Sequence, residues 1–504
     1  MKLWPFGRKN LEHAVEQAAL PLIEKFGETL TPNMRALRMA TTMADQLLSM
    51  GVSANSVVSK VLDVTDTYCK KPVHLDISAN VIMVSQLRGI EREPLTLIRP
   101  VAPRNINYMT IQSIQNLIFE IGKGHHTLDE AEEQLETIIT NPKKFPWWVI
   151  MIGNASIVAG VTLMYTSSWQ VILTTFCIGI MIDRLLALLI KYAIPPFFRQ
   201  VIAAASIALI AAGINALARQ GIEFFADMNP TLLVVGGVVM LVAGLVIVGA
   251  VQDAIDEYYV TANARLTKVF MQTIGIVAGI LIALYTARKL GIGISVSVDP
   301  LSLNSFDFQV AGAIIASAGY ALAGQTRRRA VIGVGIIGGA GLFIMSYTVT
   351  HLGISIVPAS GVAALFIGVS AAIISRFWRT PSVGIISGAI VPLVPGLTLY
   401  TGLMQIIQYP PGAPLFFNAV GTLFTALALA LTIAAGASLG SMVGRPLRQQ
   451  LASTRNIQPF AVFMRRQVGP SPGKSLASLA LGKFRRPRLR QPAQSHDPES
   501  IDKV

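Results

Sequence analysis

Four acidic side chains stand in or beside long apolar runs, where charge is costly to bury and an ionisable group is a functional candidate. Asp253, Asp256 and Glu257 follow the apolar stretch 231–251, with Arg265 opening the next stretch, and Asp183 sits fourteen residues into the stretch 169–190. A carboxyl group drawn out of water holds its proton more tightly, so it can load and release protons in the range a cell experiences. Asp253 and Glu257 are four apart, which on a continued helix puts them on one face. Proton transfer is the chemistry on offer, with Asp253 the first candidate, Asp183 the second, and Asp256 and Glu257 completing the cluster. The alternative for the cluster is an interfacial loop in water with Arg265 as counter-ion, and for Asp183 the cytoplasmic end of a span.

Backbone chemistry is offered elsewhere, in the run IVPLVPGLTLY at 390–400. Pro392 and Pro395 each remove a backbone donor and disrupt a helix, and Gly396 permits unusual dihedrals. Carbonyls and amides freed near Leu393 to Gly396, with the Thr398 hydroxyl close by, would suit a small polar solute; the alternative is a kink made for packing. The same motif occurs earlier: GGVVMLVAGLVI at 236–247 and GAIVPLVPGLTL at 388–399 share six of twelve residues at a constant offset of 152. Gly244 matches Gly396, but Met240 and Ala243 stand where the second copy has prolines, so a break is less secure in the first copy. Asn154, with Ser156 and Asn215, is a further polar candidate inside a span, weighed against an ordinary interhelical hydrogen bond.

The elements that position these residues are membrane spans. Hydrophobic residues make up 52% and charged residues 13% of the chain, against about 25% charged in soluble domains. Ten runs suit the ~20 apolar helical residues that cross a bilayer: 147–166, 169–190, 200–218, 231–251, 266–287, 308–325, 331–350, 357–375, 383–404 and 415–440. Five per copy of the motif is an odd number, which turns the second copy upside down relative to the first. The expected fold is an α-helical integral membrane protein of ten transmembrane helices in two inverted five-helix repeats, 147–290 and 291–443. With residues 1–146 inside, the inside loops hold Lys191, Arg199, Arg265, Lys268, Arg327, Arg328, Arg329, Arg376 and Arg379, and the outside loops only Arg219, Arg288 and Lys289. This positive-inside bias places both termini in the cytoplasm.

The ends are different. Residues 1–30 form an amphipathic segment with no apolar core or cleavage site of a signal peptide. Residues 31–146 read as a small cytoplasmic α/β domain: helices starting at Thr31 and near Ser53, strand-like stretches at 74–87 and 94–102 with a turn around Gly89, and helices at 106–123 and 128–140, the last with a Thr127/Glu130 capping box. His125, His126, Asp129 and Glu133 gather at that helix start, where a solvated N-terminus is preferred to a metal site. Cys69 and Cys177 lie in different regions and suggest no disulfide framework, and no cofactor is implied. From 444 the tail carries twelve Lys and Arg against three acidic residues, a composition that suits disorder and anionic lipid head groups rather than nucleic acid.

Three stretches together, GGVVMLVAGLVIVGAVQDAIDEYYVTANARL at 236–266, RTPSVGIISGAIVPLVPGLTLYTGL at 379–403 and ALRMATTMADQLLSMGVSANSV at 36–57, resemble the threonine/serine exporter family. The resemblance covers roughly residues 30 to 445. It implies a bacterial cytoplasmic-membrane exporter of threonine and serine, driven by the proton-motive force, with ten spans and a soluble N-terminal domain. Rivals are transport of another small metabolite, a membrane-embedded enzyme and a membrane-anchored sensor. An enzyme is disfavoured: 147–443 contains no HExxH, and His351 is its sole histidine. Reporter fusions or cysteine labelling at Ser167, Asn304 and Pro411 are expected to report outside, and fusions after Arg328 and Arg379 inside; Arg328 outside would overturn the ten-span map.

Overall fold

The computed structural model describes residues 31–69, 71–87, 93–225, 228–241, 244–292, 303–378, 380–408 and 414–453. Contacts divide the chain into one compact unit, Met1–Gln449, and a second, Gln450–Val504. The first begins with α1 (Pro32–Ser49), where the Thr31 hydroxyl accepts from the Met34 amide and Pro32 takes the first turn, in which its missing N–H is no loss. Gly51, at φ 90°, turns the chain into α2 (Ala54–Tyr68). The stretch 74–87, strand-like throughout in sequence, folds as a hairpin of β1 (Val73–Ser78) and β2 (Val81–Gln86), because Ala79 adopts φ 53° and reverses the chain. β3 (Leu95–Pro100) completes an antiparallel sheet in the order β1-β2-β3. The turn expected around Gly89 lies outside the described residues.

α3 (Tyr108–Gly122) buries Ile111, Ile114, Ile118 and Ile121 in a core shared with Leu37, Met43 and Leu47 of α1 and Val57, Val61 and Val64 of α2. α4 (Leu128–Thr140) opens on the capping box, with Glu130 accepting from the Thr127 amide at 2.9 Å. At its start Asp129 and Glu132 both pair with Arg35 of α1, and His126 bonds Glu120 at 3.0 Å. Among the described residues no group of three or more His, Cys, Asp or Glu is placed to hold a metal.

Beyond Pro146 the chain runs through α5 (Trp147–Leu163), α6 (Trp169–Lys191), α7 (Pro196–Arg219), α8 (Pro230–Val239), α9 (Gly244–Ile255), α10 (Tyr259–Lys289), α11 (Phe306–Ala323), α12 (Arg328–Thr350), α13 (Ile356–Trp378), α14 (Ser382–Ala389), α15 (Gly396–Gln408) and α16 (Pro414–Ser453). Seven described helices, α6, α7, α10, α11, α12, α13 and α16, contain stretches long and apolar enough to cross a membrane, and the pair Ser382–Ala389 and Val391–Ile406, bent by 41°, adds an eighth crossing if it is one broken span. α5, α8 and α9 are apolar but shorter. The chain is an α-helical, multi-pass membrane protein. Two expected spans are interrupted: 231–251 stops at Val239 and resumes at Gly244, and 383–404 stops at Ala389 and resumes at Gly396. The last helix continues past the expected end of its span to Ser453.

Helices meet backbone to backbone, since apolar attraction between them is weak in lipid and close approach supplies the packing energy. A Cβ on Gly160 would lie 2.6 Å from the Ala316 nitrogen, and one on Gly312 2.4 Å from the Gly160 carbonyl oxygen. Gly153 and Gly319 face each other in the same way, so α5 and α11 run antiparallel along two glycine steps. Gly275 and Gly279 seat α10 on the Phe197 and Val201 carbonyls of α7, and Gly436 and Gly440 seat α16 on the Gly361 and Leu365 carbonyls of α13.

Gly160→Val and Gly312→Val are each expected to lower the melting temperature of detergent-solubilised protein or prevent its accumulation, because the added carbons meet backbone that cannot yield. Gly213→Ala, with nothing within 4 Å of the new carbon, should leave melting unchanged. Burial, with Asp66 nearby, pushes the Cys69 thiol up to about 11. Maleimide labelling of Cys69 should therefore be slow at neutral pH and speed up about tenfold per pH unit as the thiolate fraction grows.

Candidate functional site

At the second break α14 ends, Val391–Leu393 makes one 3-10 turn, and Val394 is extended. Pro392 and Pro395 carry no N–H, and the Pro395 carbonyl accepts from the Leu399 amide at 3.0 Å as α15 restarts. Pro395 and Gly396 are buried, while Pro392 and Thr398 are half-buried. The turn packs against α11 and α12. There Gly338 leaves room for the Ser317 hydroxyl and the Ala389 carbonyl oxygen, which a Cβ on that glycine would meet at 2.1 and 3.1 Å. Ser317 is fully buried, and its hydroxyl has no hydrogen-bond partner.

The first copy breaks at the matching place without prolines. Leu241 closes the end of α8 by bonding the Val238 carbonyl at 2.8 Å, and Gly244 opens α9 as Gly396 opens α15. Away from water a carbonyl freed from its helix needs another donor. Gln200 of α7 supplies it, its Nε2 reaching the Leu241 carbonyl at 3.4 Å. Gly275 of α10 lies beside Gln200, and Gln272 is one turn earlier on the same helix. Tyr400 of α15 is 3% exposed and belongs to the same apolar cluster as Leu241 and Ile276. The Oε1 atoms of Gln200 and Gln272 and the Tyr400 hydroxyl are buried without a hydrogen-bond partner. Hydropathy passes over all three as ordinary residues of apolar runs; their polarity within a span is the signal that could have found them.

The acidic candidates separate. α9 ends at Ile255 and Glu257 adopts φ 69°, so Asp253 and Glu257 do not share the face that a continued helix would give them. Glu257 is exposed and Asp256 half-buried, whereas Asp253 is 0% exposed. Asp253 meets the Arg265 guanidinium of α10 at 2.8 Å, a charge contact, and its other oxygen accepts from the Ala54 amide at 3.2 Å. Ala54 is the first residue of α2, so a carboxylate of the bundle sits at the positive end of an N-terminal-domain helix. Arg265 also donates to the Val52 carbonyl at 3.4 Å. Asp183 is bound differently: Asn154 donates to it at 2.8 Å and Arg184 bridges its second oxygen, with the guanidinium 4.7 Å from the Trp147 ring centre. Two residues assigned separate roles in sequence, Asn154 and Asp183, are thus one hydrogen-bonded pair.

The N-terminal domain touches the bundle at further points. The Thr261 hydroxyl of α10 accepts from the Ala79 amide at 3.1 Å. Tyr108 of α3 wedges between Gly324 and Gly384, where added carbons would lie 2.6 and 2.9 Å from its ring, and its amide donates to the Gly324 carbonyl at 3.0 Å. Each broken stretch therefore has an end against the N-terminal domain, α9 through Asp253 and α14 through Gly384.

Comparison with known proteins agrees with this construction. A family model for threonine/serine exporters matches residues 38–287, and a second, described as Threonine/Serine exporter, ThrE, matches residues 309–443. A Mycobacterium tuberculosis protein named "Probable threonine/serine exporter" is 29% identical over 423 residues, covering 82% of this chain and 77% of its own length. The Corynebacterium glutamicum protein named "Threonine/serine exporter" is 28% identical over 417 residues, covering 82% of this chain and 83% of its own. No solved structure matches. Two family models in chain order across both apolar copies, and relatives of the same name along most of their length, establish that the chain belongs to the threonine/serine exporter family.

Proposed function

We propose that the protein exports threonine and serine across a bacterial cytoplasmic membrane, driven by the proton-motive force, with ten spans in two inverted five-helix repeats and both termini in the cytoplasm. The observation that carries it is the pair of broken helices at matching positions of a repeated motif, the construction in which transporters expose backbone groups to solute. Counting α5 as one span and α8 with α9 as another brings the crossings to ten. Recurrent glycine contacts support the repeat: Gly179 meets Val158 as Gly338 meets Ser317, Gly236 meets Thr175 as Gly388 meets Val334, and Gly153 faces Gly319 as Gly160 faces Gly312. On this reading residues 31–146 form a cytoplasmic domain against the inner end of the bundle, and the basic tail from 444 meets anionic lipid.

Solute binds beside the two breaks, at Pro392, Pro395, Gly396 and Thr398 on one side and Gly244 on the other. Asn154 is engaged with Asp183, so it serves the acidic candidate more directly than the solute. Asp253 is the proton carrier: protonation would release Arg265 and weaken the hold on the Ala54 amide, passing a titration at the end of α9 into the contact between bundle and soluble domain.

Everted membrane vesicles should take up labelled threonine and serine when a proton gradient is imposed and lose that uptake when it is collapsed. Gradient-independent uptake would remove the coupling, and absence of uptake of either amino acid would favour another solute. Asp253→Asn should abolish gradient-driven uptake while preserving threonine exchange, and should speed hydrogen exchange at the start of α2. Loss of both transport modes would indicate a binding or folding role, and unchanged driven uptake would exclude Asp253 from coupling. Asp183→Asn tests the second candidate in the same assay.

A further inference from the structure

We propose that Gln200, Gln272 and Tyr400 form the part of the solute site that recognises the ammonium and hydroxyl groups of a small neutral amino acid, at the first broken span; the inference rests on the exporter reading above. The Gln200 amide is oriented by its own bond: with Nε2 on the Leu241 carbonyl, Oε1 faces elsewhere as an unpaired acceptor. Gln272 adds a second bare amide oxygen from the neighbouring turn of α10, and Tyr400 a bare hydroxyl from α15. Three unpaired polar groups around one apolar cluster go against the rule that buried polar atoms find partners inside the protein.

Packing does not require them, and the second half of the chain shows why. Gly436 approaches the Gly361 carbonyl oxygen and the Ala364 Cβ as Gly275 approaches the Phe197 carbonyl oxygen and the Gln200 Cβ. Gly279 approaches the Val201 carbonyl oxygen and the Ala204 Cβ in the same way, and in that register Gln200 matches Ser360 and Gly275 matches Thr432, whose hydroxyls bond each other at 3.0 Å. Tyr400, four after Gly396, matches Val248, four after Gly244. In the second half the polar side chains satisfy each other, whereas Gln200, Gln272 and Tyr400 leave buried oxygens bare.

Its chemistry selects the ligand class. Two neutral amide oxygens accept from an ammonium without adding a charge, and a phenol can donate to a carboxylate or exchange hydrogen bonds with an aliphatic hydroxyl. A zwitterion brings no net charge into this site, whereas a cationic or anionic solute would lack a counter-ion. A site built to hydrogen-bond a group rejects analogues that lack it.

The test is threonine uptake by everted vesicles, with full-length protein and membrane abundance measured for each variant. Gln200→Met and Gln272→Met keep the volume and remove the acceptors; each is expected to raise the KM for threonine about tenfold or more. Excess 2,3-dihydroxybutyrate, which replaces the ammonium by a hydroxyl, should compete poorly against the wild type, and its disadvantage relative to unlabelled threonine should shrink in the methionine variants, the part that remains coming from its net negative charge. Tyr400→Phe should raise the KM for threonine and serine more than for alanine. Unchanged KM and unchanged discrimination in variants of normal abundance would overturn the site. If a methionine variant fails to accumulate, the asparagine variant at that position carries the test, and a wild-type KM there also overturns it. Wild-type vesicles that take up neither threonine nor serine would overturn the exporter reading itself, a different result from transport that survives the variants intact.

Discussion

A backbone amide or a charge inside a bilayer has no water to bond, so each one must be satisfied by the protein or give rise to function. The helices obey this until two places, after Val239 and after Ala389, and the two breaks meet the constraint by different means. Around Pro392 and Pro395 the donors are absent by chemistry, and a 3-10 turn closes Leu393 onto Ile390. At Leu241, where no proline stands, an amide from another helix replaces the missing donor. Charges follow the same rule: Asp183 is enclosed by Asn154 and Arg184, and Asp253 by Arg265 and the Ala54 amide.

Close approach makes such satisfaction reachable. Side chains as short as Asn154 can bond across helices only because glycine seams bring the helix axes together. The N-terminal domain uses the same device: Tyr108 enters the bundle because Gly324 and Gly384 leave the width of a ring between α11 and α14. α9 is then a short rod between two fixings, the break at Gly244 and the docked carboxylate of Asp253. A rearrangement at the break that shifts α9 along its axis cannot leave the Ala54 contact unchanged.

Apolar run length and loop charge made most helices legible in sequence, and Thr31, Gly51 and the Thr127/Glu130 pair marked boundaries in the soluble domain because each does a local job at a helix end. The second break was equally visible, since proline announces the missing donor. The first was not, because what supports it, Gln200, lies 41 residues away in sequence. Spacing also misplaced Glu257: counting four residues from Asp253 assumes the helix continues, and a left-handed residue at 257 ends it. The partnership of Asp253 with residues near 54 depends on how a soluble domain docks, which local periodicity does not encode. For Asp183 and Asn154, polarity inside apolar runs identified both but not that each was the other's partner.

On the inverted-repeat reading, the two halves share a packing plan and divide the chemistry. Asp253, nine residues after Gly244, matches Gln405, nine after Gly396. Arg265, fourteen before Gly279, matches Thr422, fourteen before Gly436. The ion pair at the cytoplasmic end of α9 therefore has a neutral counterpart at the far end of α15, where Gln405 accepts from Thr422 of α16 at 3.3 Å. A neutral hydrogen bond is a weaker latch than a buried ion pair, and it involves no group that titrates near neutral pH. Opening toward the outside would thus break contacts that do not respond to protons, while opening toward the cytoplasm would have to break ones that do.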